Sequence, residues 1–295
     1  MNIDPIDPVS RPFFGGRVSG IDITRPLPPE QVAAIDRGMD QFGVLVFHGQ
    51  HFHDETQIAF SRNFGALEEA SGDLNWGQKR RIESPFVNDI SNLDDDNRVL
   101  AVADRKRLFG LGNRLWHSDS SFKALPAKYS LLSARHIPGA GGNTEFADMR
   151  AAYDALDAET KALLADLICE HSQLYSRGIL GFDDFTEQDR IRFKPVLQRL
   201  VRTHPSTGRK SLFLASHAGA IIGWPVPEAR ALLRDLVEQA TERRFVYAHA
   251  WRQWDLVMWD NRATMHRACP FDASQVRDMH RTTVASEQST MEEAA

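Results

Sequence analysis

Apolar residues recur at helical spacing in five segments of the chain. Val32, Ile35 and Met39 follow one such stripe, behind a Pro-Pro start that suits the first turn of a helix. Asp148 and Asp157 stand where N-caps are expected for two further segments. Together these signals predict helices over 28–42, 54–64, 149–156, 158–169 and 226–241.

Short apolar runs between turn residues predict strands. The clearest is Val-Leu-Val-Phe over 44–47, between two glycines. The same pattern predicts strands over 13–24 (broken by glycines), 129–135, 143–146, 201–205, 211–215, 219–223, 245–251, 255–260, 263–267 and 277–285. Many short strands with helices in a few places favour a mostly β chain with flanking helices, a β-sandwich or jelly roll.

Two polar, charged segments interrupt this pattern, one over about 71–112, with a single strand candidate at 99–102, and one over 178–199. Long loops in compact domains often serve as active-site lids, although a solvated insertion without a role has the same composition. No internal repeat or boundary divides the chain. The sequence therefore predicts a single domain over 1–295 with two lid insertions and a polar, disordered tail over 286–295.

Composition then excludes several classes of protein. A formal net charge of -5 over 295 residues argues against a general nucleic-acid binder. Two cysteines cannot form a disulfide framework, and no apolar stretch approaches the length of a membrane span. The first residues lack a basic start followed by an apolar run, so no signal peptide is expected. These features predict a cytoplasmic protein with neither a nucleic-acid nor a membrane partner.

The chemistry centres on His117 and Asp119. In an extended segment, side chains two residues apart leave from the same face, so this imidazole and carboxylate can reach one cation. One more histidine would complete the 2-His-1-carboxylate triad, which holds Fe(II) and leaves positions open for oxygen chemistry. Alone, the pair also suits a capped turn in a surface loop.

His266 is the candidate for the third ligand, because it follows the strong strand 255–260 and a turn, and a rigid hairpin would hold it well. Spacing alone leaves other histidines open: His136, His171, His204, His217, His249 and His280. Downstream, Arg277 and Arg281 share one face if both lie on the last strand. They would bind two carboxylates if they face inward, or face solvent if the strand is an edge.

Three ordered motifs carry a family resemblance: 113–122 (Asn-Arg-Leu-Trp-His-Ser-Asp-Ser-Ser-Phe), 141–153 (Gly-Gly-Asn-Thr-Glu-Phe through Tyr) and 256–267 (Leu-Val-Met-Trp-Asp-Asn through His-Arg). Over nearly its whole length the chain resembles the Fe(II)/2-oxoglutarate-dependent dioxygenases, specifically the taurine dioxygenase and 2,4-dichlorophenoxyacetate dioxygenase group. Residues 116–122, 148–156 and 203–213 are most similar to the phenoxyalkanoate, herbicide-degrading branch.

The resemblance implies a double-stranded β-helix (jelly roll) core and a role for each matching residue. The implied metal ligands are His117, Asp119 and His266. The implied 2-oxoglutarate residues are Thr144 and Arg277, and the implied substrate residues are Arg281, His204, His217 and Asn113. Ala220 stands where the phenoxyalkanoate branch can carry a further histidine, so the substrate preference of that branch does not carry over directly.

The implied activity is hydroxylation of a small anionic substrate with Fe(II), 2-oxoglutarate and O2. An aryloxyalkanoate such as 2,4-dichlorophenoxyacetate would yield a phenol, glyoxylate, succinate and CO2. The same chemistry on a sulfonate, an alkyl sulfate or an N-acyl amino acid stays open, as does a non-catalytic metal-binding jelly roll. A closed zinc site would need a fourth protein ligand. The family resemblance also implies a homo-oligomer.

Overall fold

Strands predominate in the computed structural model, which describes residues 1–70 and 80–293. The strands are β1 (Asn2–Asp7), β2 (Arg11–Ser19), β3 (Val44–Phe47), β4 (Asn88–Asp89), β5 (Ala127–His136), β6 (Thr144–Asp148), β7 (Ile168–His171), β8 (Val196–Arg199), β9 (Val201–Thr203), β10 (Lys210–Leu212), β11 (Ala218–Ile221), β12 (Val246–His249), β13 (Leu256–Asp260), β14 (Thr264–Ala268) and β15 (Asp278–Ala285). The helices are α1 (Pro29–Phe42), α2 (Asp54–Ser61), α3 (Arg105–Gly110), α4 (Met149–Asp154), α5 (Ala158–Leu164), α6 (Gln173–Gly178), α7 (Glu187–Arg192) and α8 (Val226–Ala240). Single 3-10 turns span Arg62–Phe64, Leu111–Arg114, Arg243–Phe245 and Thr290–Glu292.

Two sheets face each other and enclose the centre of the molecule. The larger has seven strands in the order β1-β2-β3-β13-β5-β15-β4, and the smaller has three in the order β12-β6-β14. Phe146 of β6 and Tyr247 of β12 share one buried cluster with side chains from β3, β5, β13 and β15. This cluster fills the space between the two sheets.

Alternation along the strands gives the larger sheet a second buried face. Val44 and Val46 of β3 point into the cluster between the sheets. Leu45 and Phe47 point the other way, into a cluster with apolar residues of α1 and α2. On the outside of the smaller sheet, Met265 packs among residues of α4, α5 and α8. Helices therefore cover both outer faces, and the prediction of a mostly β chain with flanking helices is confirmed.

Two predicted elements differ from the structure because of non-local pairing. The helix predicted over 158–169 ends at Leu164, and β7 pairs with β8 and β11 instead of extending it. The hairpin predicted to carry His266 is also wrong. β13 lies in the larger sheet, whereas β14 pairs with β6 in the smaller one, so the turn between them crosses from one sheet to the other.

The strand predicted at 99–102 is likewise absent, since only Val99 forms a bridge, to Leu93. Of the predicted lid segments, 71–79 lies outside the described residues. The rest of the first segment contains β4 and α3, and the second contains α7 and β8.

The prediction of a disordered tail is wrong for 286–293. Thr290 is buried and donates a hydrogen bond to Gln198 Oε1 at 2.6 Å, and Glu293 pairs with the buried Arg202. Tail residues 294–295 lie outside the described part of the chain.

Among the residues described, no helix has the length and apolar character needed to cross a membrane.

Candidate active site

His117 and His266 are held side by side by their own backbones. The His117 amide donates to the carbonyl of His266 at 3.0 Å, and the His266 amide returns a bond of 2.8 Å. This isolated antiparallel bridge aligns the two residues, and their ring centroids lie 4.2 Å apart. Since His266 belongs to β14, the smaller sheet fixes the position of both imidazoles.

Asp119 completes the group. Its Oδ1 lies 3.8 Å from His117 Nε2 and its Oδ2 lies 3.8 Å from His266 Nε2. One ligand atom from each residue falls within 4.8 Å of the others, and all three residues are buried. Within residues 1–70 and 80–293 no other group of three His, Cys, Asp or Glu side chains meets this criterion.

Hydrogen bonds hold the Asp119 carboxylate in place. Ser130 Oγ donates to Oδ2 at 2.7 Å and Arg281 Nη1 donates to Oδ1 at 2.5 Å. The Asp119 amide donates to Asn261 Oδ1 at 3.0 Å, and Asn261 Nδ2 donates to Ser130 Oγ at 2.9 Å. Trp259 Nε1 donates to the same Asn261 oxygen at 3.1 Å. The carboxylate is therefore oriented before any metal binds.

Sequence reasoning missed Ser130, Asn261 and Trp259 as supporting residues. The pattern that could have identified two of them is a polar residue within an apolar strand or directly after it. Ser130 interrupts the apolar run of β5, and Asn261 follows directly after β13.

Charge states in the site suit a divalent cation. Burial lowers the pKa of both histidines, and for His266 the neighbouring His117 lowers the pKa further. Burial alone would raise the pKa of Asp119, but the charge of Arg281 and the hydrogen bond from Ser130 oppose it, and the pKa lies well below its usual range. Two neutral imidazoles and one carboxylate anion are a donor set that suits Fe(II).

The tautomer of His117 follows from its surroundings. Its Nδ1 lies 2.7 Å from the carbonyl oxygen of Leu115, which can only accept a hydrogen bond, so Nδ1 carries the proton. The lone pair is then on Nε2, the atom that faces Asp119. An outer hydrogen bond of this kind is the usual way in which a metal-binding histidine is oriented.

A cavity of about 320 Å³ opens beside the three residues. Eight of the nine sequence-predicted site residues line it: His117, Asp119, His266, Thr144, Arg277, Arg281, Asn113 and His217. The volume lies in the usual range for a small-molecule pocket.

Arg277 and Thr144 form a second polar group in this cavity. Arg277 is buried directly before β15, and burial lowers its pKa to about 10. In the described ranges no carboxylate lies within 4.0 Å of its guanidinium, whose Nη1 reaches only the carbonyl of Ile90 at 3.5 Å. Thr144 begins β6 and accepts a hydrogen bond from Trp251 Nε1 at 3.0 Å. A buried cation without a counter-ion is a strong site for an anion.

His217 lies beside the metal group. Its ring centroid is 6.1 Å from that of His117 and 4.8 Å from that of Phe122. Its Nδ1 lies 2.9 Å from Ser176 Oγ, whose own hydrogen bonds the carbonyl of Gln173. Nδ1 is therefore the donor.

The prediction that His204 binds substrate is wrong. Its Nε2 is 3.0 Å from Asp260 Oδ2, and the residue is buried outside the cavity lining. Asp260 also accepts hydrogen bonds from Arg262, at 2.9 Å and 2.7 Å. Nε2 of the imidazole is thus held by a buried ionic cluster, a role that the sequence could not distinguish from a substrate contact.

Arg177 is a cavity-lining residue that the sequence analysis did not identify. Its guanidinium stacks 4.5 Å above the ring of Phe109, another lining residue. Gly112 makes this possible, because a Cβ built there would lie 2.2 Å from Arg177 Nη1. Among the described residues, five buried or half-buried arginines line the cavity: Arg81, Arg107, Arg177, Arg277 and Arg281.

Comparison with known proteins adds a family and close relatives. The family model for "Taurine catabolism dioxygenase TauD, TfdA family" matches residues 3–283. An alpha-ketoglutarate-dependent 2,4-dichlorophenoxyacetate dioxygenase of Cupriavidus pinatubonensis is 46% identical over 273 residues, covering 92% of this chain and 94% of the relative. An (S)-phenoxypropionate/alpha-ketoglutarate-dioxygenase of Delftia acidovorans is 36% identical over 286 residues, with 94% of each chain covered. The crystal structure of AAD-2 in complex with Mn(II) and N-oxalylglycine superposes with a TM-score of 0.89 at 54% identity, covering 98% of both chains.

Proposed function

The chain belongs to the TauD, TfdA family of dioxygenases, and from this premise we propose that it hydroxylates an aryloxyalkanoate such as 2,4-dichlorophenoxyacetate. Membership confirms the predicted enzyme class, a 2-oxoglutarate-dependent dioxygenase. The substrate class is inferred from relatives at 46% and 36% identity whose names specify 2,4-dichlorophenoxyacetate and phenoxypropionate.

The proposed metal ligands are His117, Asp119 and His266. Their ligand atoms converge within 4.8 Å, and the charge states suit Fe(II). When bound, iron and 2-oxoglutarate supply the oxidation, in which O2 is used, 2-oxoglutarate becomes succinate and CO2, and one oxygen atom goes to the substrate. The hydrogen bond from Ser130 holds the carboxylate of Asp119 ready for the metal, and Asn261 anchors both the Asp119 amide and the Ser130 hydroxyl.

Arg277 and Thr144 are proposed to bind the distal carboxylate of 2-oxoglutarate. The observation that carries this assignment is the buried guanidinium of Arg277, which has no carboxylate within 4.0 Å among the described residues and lines the same cavity as the three proposed metal ligands. Arginine matches a carboxylate bidentately, and a threonine hydroxyl adds a third donor.

Arg281 is proposed to hold the substrate anion while it supports Asp119. Its Nη1 is committed to Asp119, but its Nε is buried with no hydrogen-bond partner among the described residues. That free N–H can meet a second anion. His217 and Asn113 line the same cavity and are proposed to contact the remainder of the substrate.

The proposed reaction requires that the substrate presents to the metal the carbon between its carboxylate and its ether oxygen. Hydroxylation of an aryloxyacetate at this carbon gives a hemiacetal, which breaks into a phenol and glyoxylate. The contribution of the protein is to fix the distance and direction of one C–H bond.

Two structural proposals accompany this function. The two facing sheets, with the crossing from β13 to β14, support a double-stranded β-helix core in a single domain. Residues from 80–112, among them Ile82, Val87 and Phe109, line the cavity, which supports a lid role for that segment. In contrast, no residue of 178–199 lines the cavity. Phe182 and Phe193 of that segment pack against Phe109, so the segment contacts the cavity wall only indirectly. A cytoplasmic location and a homo-oligomer stay predictions.

The deciding experiment is an anaerobic titration of the Fe(II) protein with 2-oxoglutarate, followed by succinate release with a panel of anions. The proposal expects a visible metal-to-ligand charge-transfer band and succinate release stimulated by an aryloxyacetate. Stimulation only by taurine, an alkyl sulfate or an N-acyl amino acid would keep the enzyme class and reject the substrate. Absence of the band would reject the proposed cosubstrate site.

A further inference from the structure

The hydrogen bond from Trp251 to Thr144 joins the cavity to a loop behind it. Trp251 lies between β12 and β13, and its Nε1 donates to Thr144 Oγ1 at 3.0 Å. Both residues are buried, with 9% and 3% of their surface exposed. Thr144 lines the cavity, whereas Trp251 does not. Trp251 therefore reaches the cavity only through the threonine hydroxyl.

The direction of this bond restricts what the hydroxyl can do. An indole N–H is a donor only, so Thr144 Oγ1 must be the acceptor. A hydroxyl has a single hydrogen, and in residues 1–70 and 80–293 no second hydrogen bond involves Thr144 Oγ1. With one lone pair occupied from the Trp251 side, the hydroxyl hydrogen is left to point toward the cavity that Arg277 shares.

The loop that carries Trp251 is itself tied down. The indole packs edge-on against His249, with centroids 4.7 Å apart and an interplanar angle of 89°. His249 Nε2 lies 3.0 Å from Asp255 Oδ2, which also accepts the amide of Arg252 at 2.9 Å. The other oxygen, Oδ1, lies 2.7 Å from Nδ1 of His48. The buried carboxylate of Asp255 thus fixes both sides of the loop.

We propose that Trp251 is a positioning residue for the cosubstrate: its N–H orients the Thr144 hydroxyl so that the hydroxyl donates to the distal carboxylate. This inference rests on the proposed function of Thr144 and Arg277. It has a specific consequence. The Trp251 N–H contributes to binding of 2-oxoglutarate and contributes nothing to a 2-oxo acid without a distal carboxylate, such as 2-oxobutyrate.

Trp251→Phe tests this, because it keeps an aromatic ring against His249 and removes only the N–H. Binding of 2-oxoglutarate and of 2-oxobutyrate to the anaerobic Fe(II) protein is measured by visible absorbance, without turnover. We expect the Kd for 2-oxoglutarate to rise about threefold to tenfold, as for one lost neutral hydrogen bond, and the Kd for 2-oxobutyrate to stay unchanged. Trp224→Phe, which changes a half-buried indole outside the cavity lining, should change neither value.

A double-mutant cycle with Thr144→Val adds a second readout. If Trp251 acts through the hydroxyl, Trp251→Phe should have no further effect on 2-oxoglutarate affinity once Thr144 is valine. Additive losses in the double variant would overturn the inference, as would equal weakening of both 2-oxo acids by Trp251→Phe.

Failure of the underlying function has a different signature. If the unaltered protein gives no 2-oxoglutarate band, both the proposed function and this inference are rejected. If the unaltered protein gives the band and Trp251→Phe binds 2-oxoglutarate equally well, only the inference is rejected.

Discussion

The two ends of the cavity differ in how far the protein satisfies its own charges. At the metal-binding end, formed by His117, Asp119 and His266, the Asp119 carboxylate accepts hydrogen bonds from Ser130 and Arg281. At the cosubstrate end, formed by Thr144 and Arg277, the guanidinium has no carboxylate within 4.0 Å in the described part of the chain. The carboxylate at the first end has hydrogen-bond partners, whereas the guanidinium at the second end has no counter-ion among the described residues.

This difference shows how one low-dielectric cavity can be suited to two kinds of ligand, a metal cation at one end and a carboxylate anion at the other. Support around Asp119 holds an anion in the geometry that a cation needs, so little rearrangement accompanies metal binding. A buried arginine without a counter-ion destabilises the empty protein, and an incoming carboxylate relieves that destabilisation. Substitutions at the two ends should therefore have opposite effects on the stability of the metal-free, ligand-free protein.

The largest effect is expected from Asp119→Ala. It removes the only carboxylate among the three converging residues, and it leaves Arg281 without its partner. Metal affinity should fall by more than about 100-fold, beyond what loss of an outer hydrogen bond produces, and turnover should be abolished. Calorimetric titration with Mn(II) checks this, with Asp157→Asn, an exposed helix N-cap, as the control. Retained metal affinity in Asp119→Ala would show that the metal is held elsewhere.

Arg277→Met should separate binding from stability. Loss of a charge-assisted contact to the distal carboxylate should weaken 2-oxoglutarate by roughly 10- to 100-fold, while Mn(II) affinity stays unchanged. The empty protein should be as stable as the unaltered one or more stable, because an unpaired buried cation has been replaced by an apolar side chain. A clear fall in the melting temperature of the ligand-free variant would mean that Arg277 already has a stabilising partner.

Arg281→Ala tests whether Arg281 serves the substrate, as proposed, or the cosubstrate. We expect substrate affinity to fall about tenfold, with 2-oxoglutarate affinity within about threefold of the unaltered protein. Metal should still bind, because Asp119 keeps the hydrogen bond from Ser130. If 2-oxoglutarate binding were lost and substrate binding kept, the roles assigned to Arg277 and Arg281 would have to be exchanged.

The sequence predicted the residues of the metal-binding end unequally well. His117 and Asp119 are two residues apart, so local geometry alone predicted that they could share a cation, and the structure brings them within 3.8 Å. His266 is distant in sequence, and it was selected from seven candidates by an expected hairpin and by the family resemblance. The expected hairpin was wrong, because β14 pairs with β6 across a sheet boundary that no local pattern marks.

Supporting residues were the least predictable. Asn261 matters because it links the Asp119 amide to Ser130, and it lies more than 130 residues from both in sequence. The prediction for His204 was wrong for a related reason. Its partner Asp260 is also remote in sequence, so no local pattern showed that this histidine takes part in a buried ion pair. Helix stripes and strand runs gave the elements, whereas contacts between elements decided which polar residues face the cavity.

The outer face of β15 offers the smallest and most specific test of the comparison. Arg277 and Arg281 point into the cavity, whereas His280 lies on the opposite face, 2.6 Å from Asp54 Oδ1 and 3.4 Å from Asp278 Oδ1. Burial opposes its charge, but these two carboxylates outweigh burial and raise the pKa of His280 above its ordinary value of 6.5. Here the protein supplies its own counter-ions, in contrast to Arg277.

His280 should therefore make the stability of the protein pH-dependent without affecting ligand binding. A raised pKa in the folded state means that the stabilisation is complete below the ordinary histidine pKa and is lost as the pH rises through the raised value. The excess unfolding free energy of the unaltered protein over His280→Gln, about 1 kcal/mol or less, should be largest near pH 5 and vanish by about pH 9. Denaturant unfolding across this range measures it. An excess that grew with pH would mean that the imidazole is neutral in the folded protein. Asp54 and Asp278 would then not act as counter-ions for His280, and the contrast with Arg277 would be lost.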